Sequence, residues 1–164
     1  MSEFPLPVTT CQIRSGPAQF EEGATVPGPY VQLAAICEKV LQEGDGVLSL
    51  IRVIDRLTVT VSGDQAPEQL PGGNINATLV VALRPDDARG RHAIRLRIQQ
   101  PSGIYLPERS IDVNFEGEDR GVNLVLEMQF EAAEGLFWIE VSVEAGLLTR
   151  VPLRVIYQRI RSGT

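Results

Sequence analysis

Residues 34–55, AAICEKVLQEGDGVLSLIRVID, admit two readings, and the fold class turns on the choice between them. As a helix running into a strand, the stretch would open an α/β protein. As one long β-hairpin, it belongs to an all-β chain. For the helix, Leu33, Ile36, Cys37, Val40 and Leu41 recur at helical spacing, and EKVLQE is made of good helix formers. For the hairpin, Val31, Leu33, Ala35, Cys37 and Leu41 line one face of a strand spoiled only by Lys39. Asp45–Gly46 is among the strongest short hairpin-turn signals. Beyond it, VLSLIRVIDRLTVTV reads as a strand whose apolar face changes phase between Leu48, Leu50 and Ile51, Val53, the mark of a bulge. The hairpin is the expected reading, because a lone helix would have to pack on layers otherwise patterned as strands.

That pattern is strict alternation. INATLVVALR puts Ile75, Ala77, Leu79, Val81 and Leu83 on one face, and HAIRLRIQQ sets Ile94, Leu96 and Ile98 against Arg95, Arg97 and Gln99. IDVNF and VNLVLEMQFE repeat the scheme with Ile111, Val113, Phe115 and with Val122, Leu124, Leu126, Met128, Phe130. Period two means strands with one face to core and one to water. Doubly wound parallel sheets would need continuous apolar strands with helices between them, and neither occurs. The expected fold is an immunoglobulin-like antiparallel β-sandwich of seven to nine strands.

The end of the chain allows a register to be stated. LFWIEVSVEAGLLTRVPLRVIYQ reads as two strands around a three-residue loop, Gly146–Leu148. That loop pairs Val143 with Val151, Val141 with Leu153, Ile139 with Val155 and Phe137 with Tyr157. On the wet face it sets Glu144 opposite Arg150, Glu140 opposite Arg154 and Trp138 opposite Ile156. A two-residue loop would mix the faces. Trp138 and Ile156 then form an exposed apolar pair beside a charged ladder, a candidate interaction site. Either a partner chain or the N-terminal segment is expected to cover it.

Length and composition bound the rest. A chain of 164 residues with 43% hydrophobic content supports one domain with a proper core. The expected division is a proline-rich extended leader over 1–29, holding Pro5, Pro7, Pro17, Pro27 and Pro29, and a single sandwich domain over 30–161. Within the leader, VTTCQI is a candidate for one added edge strand. A second loose stretch, SGDQAPEQLPGGN, covers residues 62–74. The net charge of −6 argues against nucleic acid as the main partner. Lys39 is the only lysine among fifteen basic residues, a bias ascribed to codon composition, and no local grouping of the arginines is visible. There is no apolar run long enough for a membrane helix and no signal-peptide pattern. Two cysteines, Cys11 and Cys37, are too few for a disulfide framework, so cytoplasmic residence with free thiols is expected.

LAAICEKVLQEGDGVLSLIRVID also resembles the opening of a bacterial family of small β-sandwich proteins of unknown function. The resemblance is carried by Ala34, Cys37, Glu38, Gly46, Ser49, Leu50 and Ile51, with LRIQQPSG and PLRVIY similar to the family's later strands. It implies a sandwich and cytoplasmic residence, and supplies no activity.

Chemistry is thinly represented. His92, the only histidine, follows the PDDARGR loop and reads as an exposed turn residue rather than a catalytic base. There is no Gly-x-Ser-x-Gly elbow. One histidine and two distant cysteines make no transition-metal site, and EGED (116–119) and PDD (85–87) lack the spacing of a calcium loop. PGGN lacks the residues of a phosphate loop. No catalytic residue, metal or cofactor is therefore expected. The expected function is that of a non-catalytic module acting through protein contacts, with a partner protein or a second copy and without nucleic acid or membrane. The alternative is a carbohydrate-type binding module using Tyr30, Tyr105 or Trp138 for stacking.

Overall fold

The computed structural model describes residues 28–160 apart from 118, 119 and 145, so the expectations for the leader and for Cys11 lie outside the described residues. Within them there are nine strands and no helix. They are β1 (Tyr30–Gln42), β2 (Leu48–Val53), β3 (Arg56–Ser62), β4 (Asn74–Arg84), β5 (Gly90–Gln99), β6 (Arg109–Phe115), β7 (Val122–Glu131), β8 (Gly135–Val143) and β9 (Gly146–Ile160). A four-stranded sheet runs β2-β1-β4-β7 and a five-stranded sheet runs β3-β9-β8-β5-β6. The chain is all-β, and the two sheets form a sandwich. No helix among the described residues is long and apolar enough to cross a membrane.

The core is the set of inward residues that alternation predicts. Ile75, Ala77, Leu79, Val81 and Leu83 of β4 are all buried, facing Ile94, Leu96, Phe137, Ile139, Leu153 and Val155 of the other layer. Phe130 of β7 and Phe137 of β8 bridge the layers with ring centroids 5.0 Å apart, within the range of favourable tilted aromatic pairs.

The opening stretch is a hairpin, with Gln42 paired to Leu48 and Cys37 to Val53. The first part of β1 pairs with β4 through Cys37, and the last part pairs with β2. A straight strand would carry Leu41 about 26 Å beyond Leu33 at ~3.3 Å per residue. Yet Asp45, Gly46 and Leu48 of the hairpin tip line one cleft with Leu33, Val80 and Ala82. The hairpin therefore curls back over the outer face of its own sheet. This accounts for outward-facing Val80 being 1% exposed.

Two expectations are corrected here. VLSLIRVIDRLTVTV is not one bulged strand, because it divides between the layers. Ile54 N–H donates to Ile36 O in the first sheet (2.8 Å), and Asp55 O accepts from Arg154 N–H in the second (2.8 Å). Arg52, with φ of 52°, stays within β2 and pairs with Glu38 across the hairpin, so the crossing lies between Ile54 and Asp55. The phase change falls inside β2, where Ile51 and Val53 are exposed, and the chain changes layer only after Ile54. The sandwich is also not wholly antiparallel, since β3 runs parallel to β9.

The C-terminal register differs as well. Ile139 pairs with Val151 and Phe137 with Leu153, a slide of four residues from the expected pairing, and next to the turn Val143 pairs with Gly146, a slide of five. The turn is a two-residue loop with Glu144 at φ 49°. The mixing of faces that such a loop would cause is undone by a register shift between Val141 and Ser142, which leaves Leu148 unpaired. Because the slide is even, Val151, Leu153 and Val155 keep the core face and only their partners change.

Two outcomes follow for stability. Phe137→Ala removes the centre of the inter-layer contact and should cost about 3–5 kcal/mol in denaturant unfolding. Burial pushes the Cys37 thiol above its ordinary value of 9.0, partly opposed by a hydrogen bond from the Lys39 backbone. Below that value both folded and unfolded chains hold the proton, so Cys37 adds no pH dependence. Above it the unfolded chain loses the proton first, and stability falls as pH rises toward the raised folded value. The stability difference between wild type and Cys37→Ala should be flat below about pH 8 and shrink above about pH 9.

Candidate functional site

The outer face of the five-stranded sheet carries the densest polar constellation. Glu140 of β8 stands between Arg97 of β5 and Arg150 of β9, both its register partners. Arg97 Nη2 donates to Glu140 Oε2 at 2.8 Å, Arg150 Nε lies 3.2 Å from Oε1, and Tyr105 Oη donates to Oε1 at 3.2 Å. The Glu140 side chain is 8% exposed, although it points away from the core, because the two guanidinium groups and Tyr105 cover it. Arg97 lies over the Tyr105 ring at 4.7 Å, and Arg150 over the Trp138 ring at 4.5 Å. Tyr105 reaches this place because its loop folds back along β5, bridging Gln99, and Arg150 Nη2 donates to Gln99 Oε1 at 3.4 Å.

Trp138 does point outward, opposite in facing to Phe137, and it is half-buried. Its neighbours are Pro152 on β9 and Gln99 on β5. Ile156 is not opposite it: the four-residue slide places Ile156 further along β9, beside Thr58. The same slide pairs Glu140 with Arg150 instead of Arg154. Glu144, expected opposite Arg150, sits in the turn with Oε1 3.4 Å from His92 Nδ1. Strand alternation placed Arg97 and Gln99 on the wet face. Their approach to Glu140 and Trp138 depends on β5 lying next to β8, a pairing between distant segments that no local pattern records.

His92 is not an exposed turn residue. It lies in β5 opposite Val113, packs on Phe115 with ring centroids 5.5 Å apart, and has an 18% exposed side chain. Nε2 is 3.1 Å from Arg89 O, while Nδ1 is too poorly aligned with Glu144 for a hydrogen bond. The cleft it lines also holds Asp87, Leu147 and Leu148, and among the described residues none that lines it is a Ser, Thr or Cys that His92 would activate. Among the described residues, no three His, Cys, Asp or Glu side chains are grouped to hold a metal ion.

A family model described as a family of unknown function, DUF6941, matches residues 32–156. The chain belongs to the DUF6941 family. That span runs from β1 into β9 and takes in the whole Glu140 cluster of this DUF6941 protein. No curated protein matches it.

Removing the central carboxylate leaves two guanidinium groups and a phenol without their shared acceptor. Arg97 and Arg150 are 46% and 39% exposed, so water takes over part of the loss. Glu140→Ala should therefore cost about 1–3 kcal/mol in denaturant unfolding. Arg97→Ala should cost less than Glu140→Ala, since it leaves Arg150 and Tyr105 on the carboxylate.

Proposed function

We propose that this DUF6941 protein is a non-catalytic β-sandwich module that works through protein–protein contact, with the outer face of the five-stranded sheet as the contact surface. The observation that carries the reading is the arrangement around Trp138. A half-buried indole is held under Arg150, and Arg150 is itself anchored by Glu140 and Gln99. Trp and Arg are the residue types that dominate interface hot spots. Holding them in place before contact lowers the ordering cost of association.

The carbohydrate alternative is less well supported. A sugar stacks on an open aromatic face, whereas Tyr105 and Trp138 each carry a guanidinium on one face. Tyr30, which is 54% exposed, stands at the start of β1 in the other sheet.

The proposal takes the sandwich as immunoglobulin-like. β4 and β7 share one layer and β5, β8 and β9 the other, as strands B, E and C, F, G do, and β9-β8-β5 follows the G-F-C order. Cytoplasmic residence is part of the same proposal and is supported by the free, buried Cys37.

Site-specific photo-crosslinking tests the contact surface. Benzoylphenylalanine in place of Trp138, in the full chain expressed in its host, should yield a discrete protein adduct, from a partner or a second copy. The same group at Asp64 in the β3–β4 loop should not. Trp138→Ala should stay folded, losing about 1 kcal/mol with the cation–π contact. Identical adducts from both positions, or none from position 138, would sink the reading.

A further inference from the structure

On the reading that this face is the contact surface, we propose that its partner is an acidic protein segment whose carboxylates are received by the arginines around Trp138. The chain as a whole is acidic, at −6, yet this face is not. Register places Arg56 of β3 directly beside Arg154 of β9. Two rows along, beyond Trp138, Arg150 and Arg97 flank Glu140, and Arg95 follows between Ser142 and Ser110. Of the fourteen arginines left once Lys39 is set aside, five thus share the outer face that holds the only tryptophan. Within these rows Glu140 is the single carboxylate, and it is covered by Arg97 and Arg150.

The arginines are unequally provided for. Arg95 has Glu108 at 3.9 Å. Among the described residues, the side chains of Arg56 and Arg154 have no ion pair, although they are nearest neighbours of like charge. Like charges side by side on a sheet are destabilising. An incoming carboxylate relieves that repulsion and meets guanidinium forks suited to bidentate pairing. Trp138 and Pro152 supply the apolar centre of the same patch.

The chemistry favours a short acidic segment over the alternatives. Two copies of this face would set arginine against arginine. A nucleic acid strand would need free aromatic faces for its bases and a continuous basic track. Here the rings carry guanidinium groups, Asp112 on β6 interrupts the face, and the rest of the molecule repels a long polyanion.

Trp138 is the only tryptophan, so its emission reports on this face alone. The full chain is titrated with a short aromatic-free Glu/Asp peptide in low salt. A saturable change in emission is expected, with affinity falling roughly tenfold or more between about 50 and 200 mM salt. The double variant Arg56→Glu with Arg154→Glu should weaken binding by about tenfold or more and leave the melting temperature unchanged or higher. Arg56→Gln with Arg154→Gln serves if the charge-reversed protein does not fold, with a smaller loss in the same direction. Equal binding of a Lys peptide, tighter binding of a single-stranded oligonucleotide, or affinity that neither variant lowers overturns the inference. So does the absence of any saturable change. A crosslinked adduct from position 138 alongside that result leaves the contact surface standing and removes only its acidic partner.

Discussion

Ile54 and Asp55 are adjacent residues whose backbone groups serve different layers, one bonded to Ile36 in the four-stranded sheet and the other to Arg154 in the five-stranded sheet. Much of the architecture depends on that division. It forbids β2 and β3 from sliding independently, and it lays β3 parallel to β9. β9 thereby becomes an interior strand, with β3 on one side and β8 on the other. Its outward residues join those of β8 and β5 in one continuous surface, and Arg56 is delivered beside Arg154. Without the crossing between Ile54 and Asp55, β3 would not lie beside β9 and the arginine pair would not exist.

The outer face so formed is held by electrostatics to a degree unusual for a wet sheet surface. Glu140 is nearly as buried as the core residues on either side of it, with 6% of its surface exposed. A carboxylate removed from water is tolerated only when its lone pairs are met. Arg97, Arg150 and Tyr105 meet them, and each arginine also lies on an aromatic ring. One buried acid thus orders two cations and two rings. This is the physical basis for treating the face as preorganised for contact.

Among the described residues, the one cysteine and the one histidine are kept apart. Cys37 is buried in β1 between Val53 and Thr78, with Sγ 3.7 Å from Thr78 O. His92 lies on Phe115 in the other layer. Each is accounted for by packing, and neither lies beside the Glu140 cluster. Membership of DUF6941 extends the fold to a family without adding an activity.

How much of this was legible in the chain depends on whether the deciding interaction was local. Alternation is local, so the strand character of the chain, the buried faces of β4 to β9, the hairpin at Asp45–Gly46 and the outward facing of Trp138 could be read directly, while the split between β2 and β3 could not. The C-terminal partners could not, because one extra residue at Leu148 resets the register while leaving the face pattern unchanged. The phase change near Ile51 was visible in the sequence, but the pattern does not separate one continuous strand from two strands in different layers. Only the layer that accepts the next hydrogen bond distinguishes them. The arginines looked scattered for the same reason: residues 56, 97, 150 and 154 become neighbours through β3–β9 and β5–β8 pairing across long sequence separations. The sequence by itself determined the type of each element and which side of it is wet. Tertiary structure decided which wet sides lie together, since strand order comes from burying the whole core at once and no single segment encodes it.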